Sequence, residues 1–568
     1  MAATLEPPAI LIDAPDLPVE RDDAPPPEKP RKSFDLSWLV LGITVYAIFV
    51  YTYMSLRFNG HWAENDTLVL TAAAYSAQNA GSIFNAEFRY TNGSGYVALS
   101  VFLSEITGLE QQTLQTYLMP LIAASGAIIV YAAYRAILGN LALVALIATF
   151  FVFLQPDFIW VTWRGSHEKL TWLMVFMILF SLTRTFTLNG GALLSFRYML
   201  VFYLCAGALI TSNVFFASSF IVALTLSFIG AIAAVWLRQR WLRRTENTEG
   251  ALVQIRRLVY VTSICLVLLY IYMFFVYPPS VSILRSFDAL TDQLSLIFLN
   301  VEQNSLLSAP SFRRAEDFNP YAYVTDTWAT PQTFIILTSF NWALLGMSFL
   351  VWLVNIPRIL RLKRLEESAL PQIFLWLLYP AFALQLALSL FADRSDAVGG
   401  NIQVRLFTPL LLMAVPLSAI GVHAIYSRFH GRLRRAAQVV AVGGVVMFSV
   451  FSLLKSINEP LISNNWLFST TSERVGMAWL TANSPVDTFW TGYDDRLSIT
   501  RQYTNLDYFL DSSFTAGGLR RYFFYSTLDA QRWQRRGRPM PLLENENRVY
   551  DNGLGIAYHR FARTPYQR

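Results

Sequence analysis

The sequence predicts a mainly α-helical protein that crosses a membrane many times, and three observations support this prediction. Only 14% of the 568 residues are charged, whereas 54% are hydrophobic and 15% are aromatic. A soluble domain carries about 25% charged residues. Long apolar runs follow one another along most of the chain. Basic residues gather between these runs, which is typical of a membrane protein and not of a nucleic-acid groove.

The apolar runs are long enough to cross a hydrocarbon core of about 30 Å at 1.5 Å per residue. Residues 1–33 are rich in Pro, Asp and Glu and are predicted to form a disordered cytoplasmic tail. The membrane domain is predicted at 34–455. Its eleven predicted spans are 36–56, 112–138, 141–162, 169–189, 197–212, 214–237, 257–277, 334–356, 370–391, 405–426 and 437–455.

The placement of basic residues orients these spans. Lys and Arg precede the first span and are few just after it, which places the N-terminus in the cytoplasm. Alternation then brings the strongly basic loops to the cytoplasmic face, and these loops lie at 31–32, 238–257, 358–364 and 428–435. The short apolar stretch 95–109 is interpreted as a helix along the outer interface. If it crosses the membrane instead, this agreement is lost.

The predicted outer face holds residues 57–111, 163–168, 278–333 and the chain after 456. The last piece has a soluble composition and about the size of a domain. A helix is predicted at 473–483 and strands at 488–490, 548–550 and 555–559, so 456–568 is interpreted as a small extracytoplasmic α/β domain. The loop 278–333 either covers a membrane-bound substrate or packs beneath this domain.

Two acidic residues open the first outer loop. Glu64 and Asp66 lie two positions apart, just before a predicted helix that ends near Gly81. Such a pair can bind a divalent cation through carboxylate oxygens, or one carboxylate can act as a general base. The alternative is that Asn65 or Asp66 only caps the helix, and the pattern by itself favours the cap.

The second outer turn concentrates charge close to the membrane. Glu168 or His167 could hold a cation or orient a substrate hydroxyl, while Arg164 or Lys169 meets a phosphate. The alternative is that Arg164 and Lys169 reach lipid headgroups and Glu168 is an acid favoured by the helix dipole.

A third outer stretch places Arg405 at the start of a span, on the side where Arg is usually rare. Its planar guanidinium suits the oxygens of a phosphate. An ion pair with Asp393 or Asp396 is the competing interpretation.

Other chemistries lack support in the sequence. The five histidines show no zinc-ligand spacing, and neither a P-loop nor a nucleophile elbow is present. Charged residues are almost absent from the middle of the predicted spans, which argues against a proton-coupled transporter.

Taken in chain order, the first span, the outer loops and their charged residues resemble the pattern of the GT-C superfamily of membrane glycosyltransferases, which use sugars linked to a polyprenyl phosphate. The branch that looks most similar is that of the bacterial aminoarabinose and protein mannosyl transferases. The residues that carry the resemblance are Asp66, the Ala-rich helix that follows it to Gly81, the interfacial stretch 95–109, Glu168, Arg405, Pro409 and Pro416.

The resemblance implies an enzyme that transfers a hexose or pentose on the outer face by an inverting mechanism. Asp66, with Glu64 beside it, would deprotonate or orient the acceptor while the sugar leaves its lipid phosphate. Arg405 would stabilise the departing phosphate.

The resemblance also implies further substrate-binding residues and a set of metal ligands. Arg164, Lys169 and His167 would assist in binding the substrate. Mg²⁺ or Mn²⁺, where one is used, would be held by Glu64, Asp66 and Glu168. The partners would be a polyprenyl-phosphate-linked sugar, membrane lipids and a glycan, lipid or protein acceptor, with no nucleic acid.

The main alternative is a membrane protein without enzymatic activity, either a transporter of lipid-linked glycans or an assembly subunit that keeps the scaffold. A polymerase or ligase of lipid-linked glycans is a third possibility. Two N-glycosylation sequons begin at Asn65 and Asn92, and the first overlaps the predicted site. This favours a bacterial plasma (inner) membrane, where such modification is uncommon.

Overall fold

The structure is a computed structural model. The part of the chain that it describes comprises residues 41–42, 45–46, 48–49, 65–86, 88–139, 141–163, 166–187, 192–241, 248–284, 335–361, 370–394, 402–462, 471–483, 489–492, 508–510, 521–526, 547–553 and 555–560.

Helices dominate these residues, which confirms the predicted mainly α class. In chain order they are α1 (Asn65–Asn79), α2 (Gly95–Thr107), α3 (Gln111–Thr113), α4 (Met119–Ser125), α5 (Ala127–Leu138), α6 (Ala142–Leu154), α7 (Pro156–Trp163), α8 (Glu168–Thr187), α9 (Ala192–Ser212), α10 (Val214–Trp241), α11 (Thr248–Ile271), α12 (Ser339–Arg361), α13 (Leu370–Arg394), α14 (Ile402–Tyr426), α15 (Gly431–Ile462) and α16 (Thr471–Asn483). A π-helical turn (Leu114–Leu118) joins α3 to α4, and a second one (Tyr272–Val276) follows α11.

The described helices are those of a polytopic membrane protein. Six stretches are long and apolar enough to cross a membrane, and these are Leu114–Leu138, Val214–Ala234, Val259–Val276, Ser339–Pro357, Arg405–Tyr426 and Gly431–Ser456. The bent pair α6–α7 makes a seventh if it counts as one span. Three more predicted spans coincide with α8, α9 and α13, but α8 also carries Glu168, Lys169 and Arg184. The total of eleven stays a prediction, since the first span lies mostly outside the described residues.

The chain bends by 68° between α6 and α7. Gln155 at the bend has the extended angles φ −68° and ψ 131°, and Pro156 opens α7. A residue before proline avoids the helical region, and proline lacks the N–H group that would continue α6. The predicted span 141–162 is therefore broken into two helices.

A buried ion pair lies just after this bend. Nζ of Lys455 in α15 is 2.8 Å from Oδ1 of Asp157 in α7, and Nδ2 of Asn341 in α12 donates to Oδ2 at 2.8 Å. A charged side chain within a membrane protein is costly unless it is paired or hydrated. Asp157, Lys455 and Asn341 therefore join three helices that are distant in sequence.

The main core fills the space between the long helices. Tyr134 of α5 is fully buried and donates its hydroxyl hydrogen to the carbonyl of Leu412 in α14 at 2.9 Å. Its ring meets that of Phe176 in α8 edge-on, with centroids 5.3 Å apart. A buried hydroxyl with a partner avoids the cost of an unpaired polar group, so this contact fixes how α5 meets α14.

A second hydrophobic cluster packs the predicted outer helices onto the bundle. It joins α1, α2 and the start of α8, and its buried members are Leu70, Ala73, Ala74, Ala77, Ala86, Tyr96, Val97, Leu114, Met119, Leu170 and Leu173. The alanines let α1 approach closely. The N-terminal halves of α1 and α8 therefore flank the same core.

Helix α2 has 13 residues, fewer than the roughly 20 that a membrane-spanning helix needs. One face buries Tyr96 and Val97, whereas Phe102 and Ile106 on another face are exposed. The helix ends where Gly108 adopts a left-handed conformation with φ +68°. These features fit the interfacial interpretation of 95–109, which stays a prediction.

The C-terminal residues form α16 and a five-stranded mixed sheet in the order β2-β1-β3-β5-β4. The strands are β1 (Phe489–Gly492), β2 (Tyr508–Leu510), β3 (Arg521–Ser526), β4 (Asn547–Asp551) and β5 (Gly555–Arg560). Strands β1, β2 and β3 pair in parallel, and β3, β5 and β4 pair antiparallel. The sequence prediction had the helix and the positions of three strands but not β2 and β3. Helix α15 continues to Ile462, past the predicted domain boundary at 455.

Helix α16 packs on this sheet through a glycine. A Cβ atom added to Gly476 would lie 2.6 Å from the ring of Phe524, which is buried in β3. Trp479 stacks on Tyr550 with ring centroids 4.8 Å apart. Only a residue without a side chain allows this close approach.

Candidate functional site

The loop from Tyr90 to Ser94, before α2, closes over the start of α10. The carbonyl of Asn92 accepts from the N–H of Val214 at 2.9 Å, and its side-chain Oδ1 accepts from the N–H of Phe215 at 3.0 Å. Oδ1 of Asn213 accepts from the N–H of Phe216 at 2.9 Å. The first N–H groups of a helix have no partner within the helix. Asn92 and Asn213 together cap three of them.

The same asparagine reaches His167. Nδ2 of Asn92 donates to Oδ1 of Asn213 at 3.2 Å and lies 3.4 Å from Nε2 of His167. Because the N–H of Phe215 can only donate, the oxygen of the Asn92 amide faces it and the nitrogen faces His167. The contact with His167 therefore requires Nε2 to accept, with the ring proton on Nδ1.

A glycine brings the loop against the end of α9. Gly93 has φ +132°, and a Cβ atom there would lie 2.3 Å from the carbonyl oxygen of Thr211. The hydroxyl of Tyr272 is 2.9 Å from both the backbone nitrogen and Oγ of Ser94, and 3.2 Å from the same Thr211 oxygen. The hydroxyl of Tyr277 donates to the carbonyl of Tyr90 at 3.1 Å. The loop is thus held by backbone and side-chain bonds along its length.

Two predicted site residues, His167 and Lys169, are buried. His167 is 5% exposed, and its ring centroid lies 5.3 Å from that of Tyr90 and 6.3 Å from that of Tyr96. Lys169 is 1% exposed. The alternative that Lys169 reaches lipid headgroups is therefore wrong, because its side chain lies inside the protein.

Glu168 begins α8, as its interpretation as a first-turn acid requires. Its Oε2 accepts from the hydroxyl of Ser166 at 3.4 Å. The carbonyl of His167 accepts from the backbone nitrogen and the hydroxyl of Thr171. These bonds set the direction in which α8 leaves the turn.

Arg405 lies in the first turn of α14 and is exposed. Its guanidinium carbon is 5.8 Å from the ring centroid of Phe215. A cation over an aromatic face is attracted by the ring quadrupole. Since Phe215 also donates to Asn92, the structure brings Arg405 and His167 into one chain of contacts.

The remaining predicted residues cannot be placed in this way. Glu64 and Arg164 lie outside the described residues, as do the side chains of Asp66 and Asp393 and the whole of Asp396. The backbone of Asp66 is helical, in the first turn of α1. Leu70, one turn later, shares the second hydrophobic cluster with Leu170.

A metal site finds no support among the described residues, where no three His, Cys, Asp or Glu side chains gather closely enough to hold an ion. Of the three predicted ligands, only the carboxylate of Glu168 is described, and it bonds to Ser166. We therefore derive no chemical step through a metal.

Sequence reasoning missed Asn92 as a central residue of the site. A signal for Asn92 exists, because it opens the turn-forming run Asn92-Gly93-Ser94-Gly95. Asn213 stands between two apolar runs, where a cap is needed. Asn92 is 5% exposed, so the sequon at that position is inaccessible in the folded protein.

This chain resembles known proteins in its three-dimensional fold but not in its sequence. No family model matches the chain, and no curated protein matches it by sequence. The Archaeoglobus fulgidus oligosaccharyltransferase, tethered to an acceptor peptide with the NVT sequon, matches with a TM-score of 0.53 and 12% identity, over 93% of this chain and 74% of that one. Its apo form matches with a TM-score of 0.51 and 12% identity, over 87% and 70%.

These comparisons, together with the helical bundle, define the class: the chain has the fold of the GT-C membrane glycosyltransferases. ArnT from Cupriavidus metallidurans, bound to undecaprenyl phosphate, also matches, with a TM-score of 0.48 and 12% identity over 93% of this chain and 98% of that one. The fold assignment rests on the archaeal enzyme, for which the TM-score exceeds 0.5.

Proposed function

We propose that this protein is a GT-C glycosyltransferase that moves a sugar from a polyprenyl-phosphate donor to an acceptor on the outer face of the membrane. The observation that carries the proposal is the exposed Arg405, held over Phe215 beside the capped loop of Asn92. The likeness in fold to the archaeal oligosaccharyltransferase supports it.

Arg405 would bind the phosphate of the donor. One face of its guanidinium rests on Phe215, and the exposed edge can offer two parallel N–H groups to phosphate oxygens. Negative charge grows on this phosphate as the sugar leaves. A hydrogen-bond donor such as this guanidinium, aimed at the growing charge, lowers the barrier, because it interacts more strongly with the transition state than with the bound substrate.

Asp66 would act as the base, with Glu64 beside it. The nucleophilic atom of the acceptor would form a bond to C1 of the sugar while the bond from C1 to the phosphate oxygen breaks. The electron pair stays on the phosphate, and Asp66 takes the proton of the acceptor. Attack opposite to the leaving phosphate inverts the configuration at C1. The position of Asp66 in the first turn of α1, whose core also holds the start of α8, supports this assignment.

The buried residues would position the site. His167 holds the Asn92 amide, which in turn holds the backbone beside Phe215, so we propose that His167 acts through the loop. Lys169 would contribute positive charge from inside the protein. Arg164 would remain a candidate for the phosphate. If Mg²⁺ or Mn²⁺ is required, oxygen ligands from Glu64, Asp66 and Glu168 would hold it, and the cation would offset negative charge on the phosphate.

The proposed setting is a bacterial plasma membrane, with the N-terminus in the cytoplasm and the C-terminal α/β domain outside. Charged nucleotide sugars are absent from that outer compartment, whereas a lipid carries its sugar to the membrane surface. The acceptor would be a glycan, a lipid or a protein.

Transfer by purified protein tests the proposal. The protein is supplied with polyprenyl-phosphate sugars and a panel of acceptors, and Asp66→Asn, Arg405→Ala and Arg405→Lys are compared with it. We expect Asp66→Asn to lose about 10²–10⁴-fold in rate and Arg405→Ala about 10²–10³-fold. Lysine keeps the charge but not the planar fork, so Arg405→Lys should recover part of the rate.

The matched control is Arg197→Ala, which removes an exposed arginine at the predicted cytoplasmic end of α9. It should leave transfer unchanged. Wild-type transfer by Asp66→Asn would remove the proposed base. Donor binding without transfer to any acceptor would favour a transporter or an assembly subunit.

A further inference from the structure

Helix α15 is peripheral along its first half. Only 11% of an apolar 18-residue window within Gly431–Ser456 is buried, against 72% of the corresponding window within Arg405–Tyr426 of the neighbouring helix. The second half packs through Lys455 and its neighbours, but Val439 and Val440 in the first half are 72% and 73% exposed. Something other than this chain's described residues must cover the first half.

The exposed half carries a stripe with charge at one end and apolar side chains along the rest. Residues spaced by three and four positions share one face of a helix. Five residues of α15 follow this spacing of three, four, three and four positions, and they are Arg432, Arg435, Val439, Val442 and Val446. We call these five residues the basic stripe. All five are exposed.

Contacts with α14 leave this stripe free. Arg434 and Gln438, which lie beside the stripe on α15, donate to the hydroxyl of Tyr426 from Nε at 3.1 Å and from Nε2 at 2.8 Å. Arg434 also lies over the Tyr426 ring, 5.3 Å from its centroid. Within the described part of the chain, Arg432 and Arg435 make no ion pair. No described acidic side chain therefore compensates their positive charges.

The dimensions of the stripe fit one lipid molecule. From Arg435 to Val446 the helix rises about 16 Å at 1.5 Å per residue. Half of a hydrocarbon core of about 30 Å is nearly the same length. An acyl chain that runs from the charged end of the stripe would follow its valines to the middle of the bilayer.

We propose that the basic stripe binds an anionic glycerophospholipid. The phosphate lies between the guanidinium groups of Arg432 and Arg435, and one acyl chain lies along Val439, Val442 and Val446. Clusters of basic residues at the end of a membrane helix attract anionic headgroups by about 1 kcal/mol per residue. This site is separate from Arg405 and does not depend on the proposed transfer reaction.

The side chains of the stripe favour a lipid over a second copy of the chain. Close contact between membrane helices uses small residues, which let the two backbones approach. Gly444 lies off the stripe and Gly443 lies at its edge, while the stripe presents branched valines below two like charges. Two copies that met at this stripe would bring four guanidinium groups together.

Native mass spectrometry of the full-length protein tests the site. The protein is equilibrated in detergent with equal amounts of phosphatidylglycerol and phosphatidylcholine, and the retained lipids are measured. We expect selective retention of phosphatidylglycerol, reduced about 10-fold to 30-fold in Arg432→Gln/Arg435→Gln. The control Arg240→Gln/Arg256→Gln removes two other exposed arginines and the same charge, and it should retain the lipid.

A thermal unfolding curve without added lipid checks that both variants are folded. Equal retention of the two lipids by the wild type would overturn the proposal. So would an equal loss in both double variants, since that result reports net charge and not a site. A dimer that dissociates in Arg432→Gln/Arg435→Gln would also overturn it.

Discussion

Nζ of Lys455 lies 2.8 Å from Oδ1 of Asp157, although 298 positions separate the two residues. The side chain of Lys455 is 4% exposed and that of Asp157 is 19% exposed. The pair connects α15, the last long helix, to α7, which ends four positions before His167 in the sequence. A break in this contact would therefore act on the stability of the bundle.

Removal of one member of this pair should destabilise the protein strongly. Lys455→Met leaves Asn341 as the partner of the Asp157 carboxylate among the described residues, and we expect a loss of about 3–5 kcal/mol. The double variant Asp157→Asn/Lys455→Met leaves no unpaired charge and should recover much of that loss. Unfolding in mixed detergents measures both effects. If the losses of Lys455→Met and of Asp157→Asn, each measured alone, simply add in the double variant, the residues are not coupled.

Asn92 should matter for stability more than its position in an outer loop suggests. Asn92→Ala removes the acceptor of the Phe215 N–H and the donors to Asn213 and His167, so we expect a loss of about 1–3 kcal/mol. Asn79→Ala changes an exposed asparagine at the end of α1 and should stay within about 0.5 kcal/mol of the wild type. Thermal unfolding compares the two variants. Equal melting temperatures would show that the capping bonds contribute nothing.

Gly93→Ala should also destabilise the outer loop. The added Cβ would lie 2.3 Å from the backbone oxygen of Thr211, at a φ of +132° that side chains rarely adopt. A loss of about 1–3 kcal/mol is expected from the strained backbone alone. The control is Gly207→Ala, in the middle of α9, where an added Cβ meets open space. There alanine should be neutral or gain up to about 1 kcal/mol from helix propensity.

Gly476→Ala tests the packing of the C-terminal domain. Its Cβ would lie 2.6 Å from the Phe524 ring, so the helix α16 must move away from the sheet. Overpacking of this kind costs about 1–3 kcal/mol. Limited proteolysis reports the loss as faster cleavage after residue 456. Gly476→Ala combined with Phe524→Leu should restore resistance, and a failure to do so would place the strain elsewhere.

Much of the bundle could be predicted because membrane helices have a simple sequence signature. Apolar runs of about 20 residues mark where helices cross, since lipid offers no partner to the backbone. Helix α14 follows directly from the run that begins near Arg405. Pro156 also indicates a bend at Gln155. The apolar run 141–162 nevertheless predicts one span, because proline does not interrupt it.

The site was predicted only in part. Arg405, His167 and Glu168 stood out as charged or titratable groups beside spans. Asn92 did not, because its importance comes from two helix N–H groups that are more than 100 positions away in sequence. The two members of the Asp157–Lys455 pair each lie near the end of a span, so neither looked exceptional alone.

Composition and the order of apolar runs were sufficient to establish a polytopic helical protein, and the order of short motifs was sufficient to indicate its fold. These properties are local or cumulative along the chain. The partners of Asn92, the burial of Lys169 and the pairing of Asp157 with Lys455 depend on which helices meet in space. Such contacts arise from the packing of the whole bundle, and one sequence contains no direct record of them.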